Sequence, residues 1–161
     1  MIKFMSIKEH DDINSDDFAV VIFFNHCDFN CIDCQNSKLM HDPKMYNDFT
    51  EEVQNNIIKL YKEDKYGEYG NLVLSGGDPY STTNRIETLK FLKRFKKELP
   101  NIKVWIYTGY TLDKVDSEYL NYVDYIKCGQ YLKELKVNDN YQYGIKLATS
   151  NQKIYKRGVD Y

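Results

Sequence analysis

A chain of 161 residues, 42% of them hydrophobic, is one domain's worth, and a single core of that size buries roughly two-thirds of the unfolded surface. A formal charge of −2, with Lys and Glu interspersed, supplies no basic field for a nucleic acid. No apolar run approaches the ~20 residues of a membrane helix, and Met1 to Ser6 lack the apolar core of a secretory signal. Residues 1–161 are therefore expected to be a single cytoplasmic domain without membrane or nucleic-acid partners.

Phe18 to Asn25 is a continuous apolar run rich in β-formers, which predicts a strand buried on both faces. Thr50 predicts the N-cap of a helix to about Glu63, with Glu51 and Glu52 at its positive end and Val53, Ile57, Leu60 and Tyr61 at helical spacing. Asn71 to Ser75 reads as a second strand. Asn84 to Leu99 carries Ile86, Leu89, Leu92, Phe95 and Leu99 on one stripe, stopped by Pro100 and Asn101, and predicts a second helix. Ile102 to Thr108 is a third strand, Leu112 to Leu120 a short helix and Val123 to Lys127 a fourth strand. Lys133 to Tyr141 reads as a polar loop, and Tyr143 to Tyr155 as one or two short strands. The alternation β-α-β-α-β-α-β predicts an α/β fold with a mostly parallel sheet and right-handed crossovers.

That order places four short motifs at strand C-terminal ends, the edge where α/β sheets build active sites. The first is the triad Cys27, Cys31 and Cys34, spaced C-x-x-x-C-x-x-C after the first strand. Three thiolates there can hold one iron-sulfur cube, leaving the fourth iron open to a small molecule. The competing reading is a structural zinc site completed by His26 or His41. Cys128 stands alone and reads as a buried small hydrophobe, so the four cysteines do not form a disulfide framework. After the second strand come Gly76, Gly77 and Asp78, which on their own read as a turn. Thr108-Gly109-Tyr110 and Cys128-Gly129-Gln130 follow strands three and four. Trp105 and Tyr107 read as core, and no histidine is placed for a hydrolytic triad.

The cysteine spacing resembles the radical S-adenosylmethionine (radical SAM) family. The chain is similar, within it, to the small activating proteins of anaerobic ribonucleotide reductase. The similarity rests on Val20 to Phe24 leading into the cysteines, Ser75 to Pro79, Val104 to Tyr110, Val123 to Gly129, and Ser150 to Ile154. Where the family usually has glycine before the first and third cysteines, this chain has His26 and Asp33. The resemblance implies an incomplete (β/α) barrel and a [4Fe-4S] cluster on Cys27, Cys31 and Cys34. It also implies an S-adenosyl-L-methionine site that includes Asp33, Cys34, Gln35, Asn36, Gly76, Gly77 and Asp78. The implied activity is reductive cleavage of that cofactor, followed by formation of a glycyl radical on the large subunit of anaerobic ribonucleoside-triphosphate reductase. A one-electron reductant such as flavodoxin or ferredoxin is the implied donor. The alternatives are another radical SAM enzyme, an activase of a different glycyl-radical enzyme, or a zinc-stabilised binding module.

Overall fold

The structure is a computed structural model that describes residues 1–34, 36–37 and 43–161. Its strands are β1 (Lys3–Asp11), β2 (Ala19–Phe24), β3 (Asn47–Asp48), β4 (Asn71–Gly76), β5 (Lys103–Tyr107), β6 (Tyr125–Cys128), β7 (Tyr141–Gln142), β8 (Ile145–Lys146) and β9 (Lys153–Lys156). Between them lie the helices α1 (Glu51–Glu63), α2 (Arg85–Glu98) and α3 (Ser117–Leu120). Seven strands form one sheet in the order β3-β1-β2-β4-β5-β6-β9, and β7 and β8 pair separately. The four strands read from the sequence, β2, β4, β5 and β6, are parallel neighbours at the centre. Both edges are antiparallel, through β1 on β2 and β9 on β6. The expected mostly parallel sheet is thus a mixed one.

The first strand was not legible because two register shifts against β2, between Phe4 and Ser6 and between Lys8 and Asp11, break the period-2 alternation that marks a strand. By contrast, β2 is where its apolar run demands, with Ala19 to Ile22 and Phe24 fully buried. Thr50 does cap α1, its hydroxyl accepting from Val53 N at 3.3 Å, and the helix buries Ile57, Ile58 and Tyr61. In α2 the buried face is Thr88, Phe91, Leu92 and Phe95, whereas Ile86 is 62% exposed. The stripe is shifted because Thr88 can be buried at no polar cost: its hydroxyl bonds Pro79 O at 2.9 Å and meets the Tyr119 hydroxyl at 2.9 Å. The expected helix over Leu112 to Leu120 is instead a 3₁₀ turn, Leu112–Lys114, followed by α3, because Val115 turns extended between them.

Helices pack on one face of the sheet over a core that includes Ile22, Leu74, Phe91, Phe95 and Ile106. The opposite face has its own smaller cluster, Ala19, Val21, Val73, Trp105 and Tyr125, covered by Ile145, Leu147 and Ile154. Trp105 is fully buried there, stacked on Tyr125 at 4.0 Å, as the core reading expects. At the C-terminal ends of the parallel strands this inner face ends in Phe23 opposite Ser75 and Tyr107 opposite Lys127. That row is the floor of the site. No helix among the described residues is long and apolar enough to cross a membrane.

Candidate functional site

The β2 strand delivers the chain into the cysteine loop, and β4 delivers it into Gly76-Gly77-Asp78 alongside. The two turns are in backbone contact: Gly77 N donates to Phe24 O at 2.7 Å and Asp78 N to His26 O at 2.8 Å. Glycine is needed for this approach. A Cβ on Gly77 would stand 2.2 Å from His26 O, and Gly76 adopts φ +102° with its Cβ direction 2.6 Å from Phe24 N. Asn36 closes the same junction, its side-chain amide donating to Gly76 O at 2.8 Å.

Cys27, Cys31 and Cys34 are half-buried free thiols. They lie between two cavities. One, of about 450 Å³, opens on the outer side of the loop and is lined by Asn25, His26, Asn30 and Tyr46 besides the cysteines. The other, of about 350 Å³, is lined by the cysteine loop that follows β2 and by the ends of the other three parallel strands: Ser75, Gly76 and Gly77, then Tyr107, Thr108 and Gly109, then Lys127, Gly129 and Gln130. The donor chemistry suits a soft metal site. Burial, with Asp78 and the other two cysteines adding to it against a hydrogen bond from Phe29 N, pushes the Cys27 thiol up to about 12, so a metal cation is what would make it a thiolate. Among the described residues no three His, Cys, Asp or Glu side chains are close enough to hold one metal ion. His41 and Gln35 lie outside the described residues.

The loop is braced through Asp28, a residue the sequence reading passed over. Its carboxylate accepts from Thr82 N at 2.7 Å, Thr82 Oγ1 at 2.8 Å and Tyr110 Oη at 2.6 Å, and lies 3.2 Å from His26 Nε2. Burial pushes this carboxyl up, but the hydrogen bonds outweigh it and hold it below the usual carboxylate range. Phe29 packs edge-on to Tyr110 at 4.9 Å, and a Cβ on Gly109 would strike the Phe29 ring at 2.5 Å. Thr108-Gly109-Tyr110, recognisable in sequence but chemically opaque there, is thus the seat of the cysteine loop.

Asp78 takes a different position from the one expected. It is fully buried, lines neither cavity, and accepts from Tyr80 N at 2.8 Å, Thr108 Oγ1 at 2.9 Å and Gly109 N at 2.9 Å. Its carboxylate ties the β4 turn to the β5 turn. Burial pushes its carboxyl up to about 6 against the pull of those three bonds. Asp33 does line the inner cavity, beside Cys34 and Asn36, and its carboxylate pairs with Lys133 Nζ at 2.5 Å. Asn151 and Gln152 fasten the far wall: the Gln152 amide accepts from Ala148 N at 3.1 Å and donates to Gly129 O at 3.2 Å, while Asn151 donates to Gln130 O at 2.9 Å.

Lys127 is the other residue missed. It sits half-buried in the inner cavity with its ammonium 4.8 Å from the Tyr107 ring centre, and burial draws that ammonium down to about 8. A lysine in step with Tyr125, on the same face of a buried strand, was the available signal.

A family model described as a 4Fe-4S single cluster domain matches residues 14–155. The chain is 32% identical over 129 residues to the anaerobic ribonucleoside-triphosphate reductase-activating protein of Haemophilus influenzae, covering 77% of this chain and 81% of that protein. It is 30% identical over 127 residues to the protein of the same name from Vibrio cholerae, covering 77% and 81%. Against that of Enterobacteria phage T4 it is 30% identical over 129 residues, covering 78% of each. With the cysteine loop, its brace and the glycine turn all inside the matched span, the chain belongs to the family of anaerobic ribonucleoside-triphosphate reductase-activating proteins, built on a 4Fe-4S single cluster domain.

Proposed function

We propose that this protein is a radical SAM activase that installs a glycyl radical on anaerobic ribonucleoside-triphosphate reductase. The observation that carries the reading is the shared cavity, in which three half-buried thiols on the loop after β2 meet the glycine turn and the ends of β4, β5 and β6. We read those strands, β2, β4, β5 and β6, as an incomplete (β/α) barrel of the radical SAM type, in a single cytoplasmic domain. Cys27, Cys31 and Cys34 hold the [4Fe-4S] cluster, with one iron left for S-adenosyl-L-methionine. Held there, the cluster would supply the single electron for reductive cleavage of S-adenosylmethionine, the chemistry that would yield methionine and, by hydrogen-atom transfer from a glycine Cα of the reductase, 5′-deoxyadenosine and the glycyl radical.

The chain's own residues bind and orient. Gly76 and Gly77 let the turn's backbone meet the amino-acid end of the cofactor, Asn36 holds that turn against the cysteine loop, and Asp33 and Cys34 line the adenosyl side. Asp78 is a positioning residue that acts through Thr108 and Gly109. A flavodoxin or ferredoxin delivers the electron.

Anaerobic reconstitution should load about four irons per chain. With dithionite and S-adenosylmethionine the protein should release 5′-deoxyadenosine, and adding the cognate reductase should give a glycyl-radical doublet in the electron paramagnetic resonance spectrum. Cofactor cleavage without a doublet would overturn the activase assignment and leave the radical SAM class. Failure of fully loaded, reduced protein to cleave the cofactor would overturn both.

A further inference from the structure

The inner cavity contains a cation with nothing to hold. Among the described residues the Lys127 ammonium has no hydrogen-bond or ion-pair partner, and its nearest polar attraction is the face of Tyr107 at 4.8 Å. The other lysine among the described lining residues, Lys136, is exposed at the rim, where water satisfies it. Lys127 is set back at the end of β6, on the inner face with Tyr125, and water reaches it only partly. Among the described residues that line the cavity the one carboxylate, Asp33, is already engaged by Lys133 at 2.5 Å. A recessed ammonium without a counter-ion is costly to keep, and an arriving anion would offset that cost.

The strand order separates this cation from the glycine turn. Lys127 lies on β6, two strands from β4, and neighbouring strands are about 4.8 Å apart, so its backbone stands on the order of 10 Å from that of Gly76 and Gly77. With the reach of a lysine side chain, the turn and Lys127 can engage different groups of one ligand, an ammonium at the turn and an anion at Lys127. The same cavity is lined by the uncharged Gln130, Tyr131 and Ala148, with Lys136 at the rim.

We propose that Lys127 is the carboxylate-binding residue of this cavity, an assignment that rests on the activase reading and adds a site outside its cysteine and glycine motifs. The carboxylate has two sources, the amino-acid end of S-adenosylmethionine or a carboxylate on the polypeptide that presents the glycine. Either forms a charge-assisted hydrogen bond with the ammonium in surroundings drier than bulk water.

The test compares cluster-loaded wild type with Lys127→Met, which keeps the apolar stem over Tyr107, and Lys127→Arg, which keeps the charge. Equal iron and sulfide content establishes that the variants fold and load. Dissociation constants are then measured anaerobically for S-adenosylmethionine, for its decarboxylated analogue and for the cognate reductase. Lys127→Met should weaken a carboxylate-bearing ligand roughly tenfold or more, and Lys127→Arg should retain most of the affinity. Weakened S-adenosylmethionine with an unchanged decarboxylated analogue assigns the carboxylate to the cofactor. Unchanged S-adenosylmethionine with a weakened reductase assigns it to the polypeptide. In either case the same ligand should protect Lys127 of the wild type from an amine-acylating reagent, read by peptide mass spectrometry. Wild-type affinities in Lys127→Met for both ligands, with no protection by either, overturn this proposal alone. A loaded wild type that binds no S-adenosylmethionine overturns the activase reading and this proposal with it.

Discussion

Cys27, Cys31 and Cys34 line both cavities that flank their loop, whereas Cys128 turns its sulfur into the core on the helix side and is 4% exposed. Replacing any one of the three by Ala should abolish iron loading, and Cys128→Ala should load normally at a stability cost of about 1 kcal/mol for the lost packing. Iron and sulfide assay of the four variants checks this. The cysteine spacing is legible because ligand separation along a loop is local information. The task of Asp78 is not, since a carboxylate beside two glycines looks the same in sequence whether it faces a ligand or the donors of a neighbouring strand. Its buried carboxyl carries a pH signature. Because folding raises it to about 6 from an ordinary value near 3.8, the stability it contributes is fully present below about pH 4 and is lost as pH rises through about 6. The fall is on the order of 3 kcal/mol at most. Asp78→Asn, which cannot titrate, should remove this component of the pH dependence, as read by denaturant unfolding at pH 4.5, 5.5 and 7.

Elements were legible wherever one period governed a whole segment. The apolar run of β2 and the capped, amphipathic α1 are examples, and both lie within a residue or two of their expected bounds. The brace on the cysteine loop escaped because it is made between elements: Asp28 from the loop, Thr82 from the turn before α2 and Tyr110 from the turn after β5 meet only once the sheet is assembled. This brace sets the loop's shape against a local preference. His26 and Asp33 adopt φ +60° and +61°, a left-handed conformation that costs a non-glycine residue about 1 kcal/mol or more, at the two positions where the family usually has glycine. Asp28→Ala removes all three donors' acceptor and should let the loop relax away from this conformation. With the cysteines intact, the variant should lose iron to a chelator several-fold faster than wild type, and Tyr110→Phe, which removes one bond of the three, should show a smaller acceleration. Equal rates for Asp28→Ala and wild type would mean that the cysteines alone hold the loop.

At the scale of the molecule, helices seal one face of the sheet, and the strand C-terminal ends on the other open into the inner cavity through a rim of Asp33, Tyr131 and Lys136. A primary carbon radical formed in such a cavity reacts with whatever reaches it, so water and stray hydrogen donors must be kept out while the target C-H bond is brought within contact distance. No described segment of this chain folds across that mouth, and the rim carries side chains suited to meeting a partner: an aromatic, a free cation and an ion pair between Asp33 and Lys133. On the proposed activase reading, the covering surface is the reductase itself. Hydrogen-deuterium exchange of the loaded protein, with and without the cognate reductase, locates that surface. Amides of residues 28–34, 129–136 and 148–152, which surround the cavity mouth, should slow on complex formation, and those of α1 and α2 on the opposite face should exchange as before. Protection confined to the helix face would place the partner on the wrong side of the sheet and sink the idea that the substrate closes its own active site.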